Sequence, residues 1–281
     1  MEDWITTYKI PLGRTMKQLI DALQAHSRLF DAIKDAIGFL VDGLTRILLF
    51  VPPVLLVVLI AGLAYWLHRS VKLTVFILAA FLLIINLGYW EATVQTISLV
   101  GWSALASVLI GVPIGIAAAH RPWLYAALRP VLDLMQTLPT FVYLIPTVVL
   151  FGLGAAPGLI STVIFAIPAP IRLTQLGITS VPAPLKEAGE SFGATRWQLL
   201  WKVEIPHALP TIMAGVTQCI MLCLSMVVIA ALVGATGLGT PIVRALGSMN
   251  VPMGFEAGLS IVLLAIVLDR VCKSPERRSK S

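Results

Sequence analysis

The sequence predicts an all-α polytopic membrane protein, and three observations predict it. Hydrophobic residues make up 58% of the 281 and charged residues only 12%, where an ordinary soluble domain carries about 25% charged. Apolar runs recur along most of the chain at the length of roughly 20 residues that a helix needs to cross hydrocarbon. The cations between those runs fall almost entirely on one side of the membrane they imply.

Taken in order, residues 1–46 lack the uninterrupted apolar run and small-residue cleavage site of a signal peptide. They read as an amphipathic helix, with Leu19, Ile20, Leu23, Phe30, Ile33, Ile37, Leu40, Val41 and Leu44 on one stripe and Lys17, Asp21, Arg28, Asp31 and Asp35 largely off it. Such a helix lies on a membrane surface or braces a partner. Residues 47–90 hold two apolar segments, 47–67 and 72–89. The remainder, 91–271, supplies five more: 92–119, 131–152, 157–173, 209–233 and 255–271. The fifth carries Pro157, Pro168 and Pro170 and is expected to be kinked, which a bundle interior tolerates. About seven spans result, with a short basic tail over 272–281.

Orientation follows from charge. Arg69, Lys72, Arg121, Arg129, Arg172, Lys186, Arg196, Lys202, Arg270, Lys273, Arg277, Arg278 and Lys280 share one side, whereas the short connections opposite hold only Arg244. The asymmetry places these thirteen cations in the cytoplasm, the amino terminus outside and the carboxyl terminus inside. Because topology uses most of the positive charge, and no basic patch is interleaved with aromatics, the net charge of +6 does not point to nucleic acid.

Polar groups inside spans mark a pathway or interhelical bonds. The candidates are Gln136, Thr137 and Tyr143 beside Asp133 in the fourth segment, and Thr217, Gln218 and Ser225 in the sixth. No other acidic or basic residue stands mid-span, which argues against a proton- or sodium-coupled carrier. Cys219 and Cys223 read as small packing residues rather than metal ligands. The sequence Gly-Ala-Thr-Gly-Leu-Gly over 234–239 is not a dinucleotide fingerprint and reads as a turn outside the membrane. Gly111 and Gly115 permit close helix approach. No phosphate-binding loop, zinc-protease or nucleophile-elbow motif occurs, so the chain itself is expected to bind no ATP and catalyse nothing.

One polar stretch interrupts the apolar pattern. Residues 184–206 are mostly helix formers, and Gly193 marks a corner between two short helices. Trp197, Leu200, Trp201 and Glu204 recur at helical spacing as one amphipathic face, suited to a groove in a partner or to the headgroup layer. Glu187, Ala188, Gly189, Gly193, Val203, Ile205 and Pro206 are spaced as in the loop E-A-A-x3-G-x9-I-x-L-P of ATP-binding-cassette importer permeases. The chain resembles that family, departing from it at Gly189, Val203 and Ile205.

Residues 132–154, 171–182 and 205–239 are similar to the glycine betaine, proline betaine and choline branch. The resemblance implies the MetI-like type I importer fold in a bacterial cytoplasmic membrane and a second permease copy. It also implies ATPase subunits that carry the ATP and magnesium, and an external binding protein delivering a quaternary ammonium compound. On that reading Glu187 contacts the ATPase or its own helix start, Gly193 supplies the corner, and Trp197 and Trp201 bury area. The rival is a channel or secondary carrier in which the loop only regulates.

Overall fold

The computed structural model describes residues 27–273, and their regular structure is helical. Leu19, Ile20 and Leu23 of the expected stripe, and Arg277, Arg278 and Lys280 of the tail, lie outside the described residues. Helix α1 (Ser27–Phe50) runs past the boundary expected at residue 46. It packs along the bundle: Phe30 meets Phe151 edge-on with ring centroids 5.3 Å apart. Val41 is buried beside Leu99 and Leu159. The Trp102 indole N–H donates to the Leu40 carbonyl at 3.0 Å. Ile33 and Leu40, expected on the inward stripe, are exposed.

The chain then bends by 99° into α2 (Pro53–His68). Pro52 and Pro53 cause the break, since a proline ring excludes the helical conformation from the residue before it and donates no main-chain hydrogen bond. The expected span 47–67 is therefore split at its start. Helices α2 and α3 (Val71–Asn86) form a hairpin of two 16-residue rods, each about 24 Å long at 1.5 Å per residue.

Helix α4 (Trp90–His120), of 31 residues, is the central post. Its Thr93, Thr96, Ser98, Ser103 and Ser107 hydroxyls are fully buried. Each donates to the carbonyl four residues earlier, so these polar groups are satisfied without a partner helix. The expected span 131–152 is broken: α5 (Pro122–Thr137) and α6 (Thr140–Phe151) meet at 96° across Leu138 and Pro139. By contrast α7 (Ala155–Ala166) and α8 (Pro168–Thr179) follow one another through the prolines of the expected fifth span as a single 25-residue crossing. Pro168 opens α8, where a missing N–H costs little.

After the polar loop come α11 (Ile205–Ser225), α12 (Val227–Ala231), α13 (Gly239–Ser248) and α14 (Val251–Cys272). The turn at 234–239 is packed against α4 at its second half, with Gly234 and Thr236 exposed. Leu238 is fully buried and its N–H donates to the Thr96 hydroxyl at 2.8 Å. Cys219 and Cys223 are both buried within α11. Among the described residues four helices are long and apolar enough to cross alone, or six crossings if each bent pair counts as one. These six and the shorter apolar α3 correspond to the seven expected segments, two of them bent at Pro52 and Pro139.

Helix α8 is held between α4 and α11 at backbone distance. A Cβ added at Gly115 would lie 2.7 Å from the Ile171 carbonyl oxygen, and one at Gly111 would lie 2.8 Å from Pro170 Cγ. On the other side a Cβ at Gly215 would meet Leu173 Cβ at 2.9 Å. Main-chain atoms cannot step aside as a flexible side chain can, so Gly115→Ala is expected to destabilise by about 1–3 kcal/mol. The check is the unfolding midpoint in detergent, with Gly101→Ala as the control that leaves it unchanged, since a Cβ there meets nothing within 4 Å.

Candidate functional site

The polar loop folds as the sequence predicts at its centre. Helix α9 (Ala183–Ser191) ends in Gly193 at φ 77°, a left-handed conformation that glycine adopts without steric cost. The second piece opens with a capping box: Gln198 N–H donates to Thr195 Oγ1 at 3.3 Å, and Thr195 N–H donates to Gln198 Oε1 at 2.9 Å. Helix α10 (Arg196–Leu199) continues into a π-helical turn over Leu200–Glu204 and then into α11. The two pieces cross at Gly189, where an added Cβ would come within 2.8 Å of Leu199 Cδ1. The contact is with the end of a flexible side chain, so the alanine of the importer motif would fit here after a shift of Leu199.

Along the loop the groups sort into an outer knuckle and an inner root. Glu187, Ala188, Phe192, Trp197, Trp201 and Pro206 are exposed, with Phe192 at 93%, and the two indoles stack edge-on at 5.6 Å. Gly189, Val203 and Ile205 are half-buried beneath them. Leu200 and Glu204, expected on the same face as the tryptophans, turn inward and are buried. The π turn is the reason: it winds wider than 3.6 residues per turn, so residues 200 and 204 share a face with each other but not with 197 and 201.

Glu204 is the residue that sequence reasoning placed wrongly. Its carboxylate, 3% exposed, accepts from His120 Nε2 at 2.8 Å and from Lys186 Nζ at 3.3 Å. His120 stands at the end of α4 and Lys186 within α9, so one buried group ties the central post, the first loop helix and the root of α11. His120 Nδ1 also lies 2.9 Å from the Ile116 carbonyl oxygen, within its own helix. The available signals were weak: an acid one residue before Ile205-Pro206 and a histidine closing an apolar span. A second pair, Arg172 Nη2 to Asp133 Oδ1 at 2.6 Å, joins α8 to α5.

The candidate pathway residues are not gathered into one site. Gln136 and Thr137 are exposed at the end of α5, and Thr137 donates to Leu134 within its own turn. Tyr143, mostly buried, donates its hydroxyl to the Met135 carbonyl across the α5–α6 bend. Thr217 and Ser225 bond back within α11. Thr217 and Gln218 line a cavity of about 1330 Å³ between α11, α14 and the α2–α3 hairpin.

Residues 111–280 match the family of binding-protein-dependent transport system inner membrane components. The chain belongs to this family. It is 45% identical over 97% of its length to the glycine betaine/carnitine transport permease protein GbuB of Listeria monocytogenes, covering 98% of that protein. It is 44% identical over 97% of its length to the glycine betaine permease OpuAB of Bacillus subtilis, covering 97%. ProW of Escherichia coli, a glycine betaine/proline betaine permease, is 42% identical over 97% of the chain and 77% of ProW. The fold is shared with a chain of the inward-facing MetNI methionine transporter, at a TM-score of 0.56 and 24% identity over 62% of this chain and 87% of that one. This family member is thus a multi-pass membrane permease component and not an enzyme.

Removing charge from Glu204 should be tolerated better than stranding it. Glu204→Gln leaves the His120 and Lys186 side chains, 46% and 31% exposed, able to rehydrate, with an expected cost of about 1–2 kcal/mol. The double change His120→Phe with Lys186→Met leaves a buried carboxylate unpaired, with an expected cost of about 3–5 kcal/mol. Unfolding midpoints of the two variants in detergent give the order.

Proposed function

We propose that this chain is the permease subunit of an ATP-driven importer that moves a quaternary ammonium compound, glycine betaine foremost and proline betaine or choline as related cargo. The observation that carries the reading is near-full-length identity above 40% to three permeases named for glycine betaine transport. Choline rests on a more distant relative, the OpuCD permease of Bacillus subtilis, 32% identical over 63% of the chain. ATP and magnesium belong to a partner ATPase. An extracytoplasmic binding protein delivers the cargo, and a second permease copy, identical to this one, completes the path.

The amino terminus lies outside and the loop faces the cytoplasm, a topology supported by the one-sided cations. There Phe192, Trp197 and Trp201 form an exposed aromatic knuckle that fits a groove in the ATPase, with Glu187 as its charged contact. Closure of the ATPases would push this knuckle, and the rigid Gly189 crossing with the Glu204 root carries the push to α8, α11 and α4. Two alternating access states follow if those helices shift together. The path candidates are Gln136, Thr137, Gln218 and Ser225, supported by their exposed side chains, together with Tyr143 and Thr217 behind them.

The test is ATP-dependent uptake of labelled glycine betaine and choline into vesicles holding the chain with its ATPase and binding protein, beside the chain alone. Uptake only with partners is expected, and uptake by the chain alone would establish a self-sufficient carrier instead. Glu187→Ala and Gly193→Asp are expected to insert normally yet lose both uptake and substrate-stimulated ATP hydrolysis. Normal transport by either would remove the loop from the mechanism.

A further inference from the structure

The large cavity beside α11 carries a group of cations that the path candidates Thr217 and Gln218 on its wall do not explain. It opens at the same end of the bundle as the loop, since Pro210 and Met213 from the first turns of α11 line it. Its rim carries Arg69, Lys72 and Arg270, and none of these three has an ion-pair partner among the described residues. The single acid on the rim, Asp269, is engaged by Lys273 Nζ at 2.8 Å. His68 Nε2 lies 3.1 Å from the Val271 carbonyl oxygen and pins the α2–α3 turn against the end of α14. Behind the rim Phe76, Met221 and Ile266 give an apolar strip beside the polar Thr217 and Gln218.

The end of α2 sets where Arg69 stands on the rim. Arg69 ends α2 in the left-handed conformation, at φ 48° and ψ 35°, a position that glycine fills more cheaply than any side chain. Met249 ends α13 in the same way, at φ 52°. A one-sided surplus of cations accounts for how many lie at this end of the bundle. It does not account for three of them lining one cleft without an ion-pair partner among the described residues.

A cationic mouth above an apolar strip matches one ligand chemistry, a phosphate-bearing headgroup attached to acyl chains, and basic pockets between membrane helices at a bilayer surface bind such lipids. We propose that this cleft is a binding site for an anionic phospholipid, with Arg69, Lys72 and Arg270 on the phosphate and Phe76, Met221 and Ile266 along the first acyl methylenes. The lipid would fill the wedge between the α2–α3 hairpin and α11, and so brace the helix that leaves the polar loop. Thr217 and Gln218, proposed above for the path, line the same cavity, so a lipid held here and the cargo path would meet at α11.

The test uses the full chain in nanodiscs containing equal phosphatidylglycerol and phosphatidylcholine, released and weighed by native mass spectrometry to give the ratio of retained lipids. Phosphatidylglycerol is expected to be retained in preference, and Lys72→Gln, Arg270→Gln and Arg69→Gly each to lower that preference about five-fold, with the triple variant down on the order of a hundred-fold. Arg69→Gly separates binding from folding, because it relieves the left-handed strain: its unfolding midpoint should hold or rise while lipid preference falls. Arg69→Lys should retain the preference. Equal retention by wild type and triple variant would overturn the site. Displacement by excess inorganic phosphate or glycerophosphoglycerol would overturn the lipid as its occupant and leave a soluble anion. A fall in both stability and lipid preference for Arg69→Gly would make Arg69 structural only and overturn its role.

Discussion

Backbone-to-backbone packing of α8 between α4 and α11 is the constraint on which the rest of the structure depends. Gly111 and Gly115 on one side and Gly215 on the other remove the side chains that would hold the helices apart, and close approach of this kind is the main source of helix affinity where no hydrophobic driving force operates. Helix α8 leads into the polar loop and α11 leads out of it. With their backbones in contact, the two cannot move independently, and a displacement of the loop reaches both arms at once. Glu204 adds the third attachment through His120 at the end of α4, so the loop is rooted in all three packed helices while its outer face stays bare.

That division of chemistry explains why the loop can be both rigid and exposed. Its turns are finished internally by Gly193 and by the Thr195–Gln198 capping box, leaving its aromatic knuckle free of structural duty. A surface already ordered before contact loses less conformational entropy on binding. The interior post follows the same economy: the hydroxyls of α4 bond to their own carbonyls, which leaves the Trp90 indole N–H as its buried donor without a partner among the described residues.

The membrane class, the helical loop and its glycine corner were legible because each depends on local rules: hydropathy over a span, helix propensity, and the freedom of a residue without Cβ. The small residues at 111 and 115 announced close packing for the same reason. What sequence could not resolve lay in tertiary geometry. The inward face of Leu200 and Glu204 depends on a π turn, which no periodicity of 3.6 can reveal. The 96° bend at Pro139 sits inside a run whose hydropathy reads as continuous, and the buried turn around Leu238 is fixed by a hydroxyl from Thr96, 142 residues earlier. The scattered pathway residues show the same limit, since a polar side chain in a span announces a cost and not the partner that meets it.

The π turn at Leu200–Glu204 has one more consequence, for the evolution of the loop. A π turn is an α-helix carrying an inserted residue, and one residue of α-helix amounts to about 100° of rotation. The angular phase between the aromatic knuckle and α11 is therefore set by a single residue. Losing that residue would aim the same knuckle at a different azimuth while leaving the span, the corner and the composition of the loop unchanged. Relatives that keep every motif position could thus differ in the direction of their docking surface, and a chimera joining one permease's loop to another's span must conserve the winding as well as the residues.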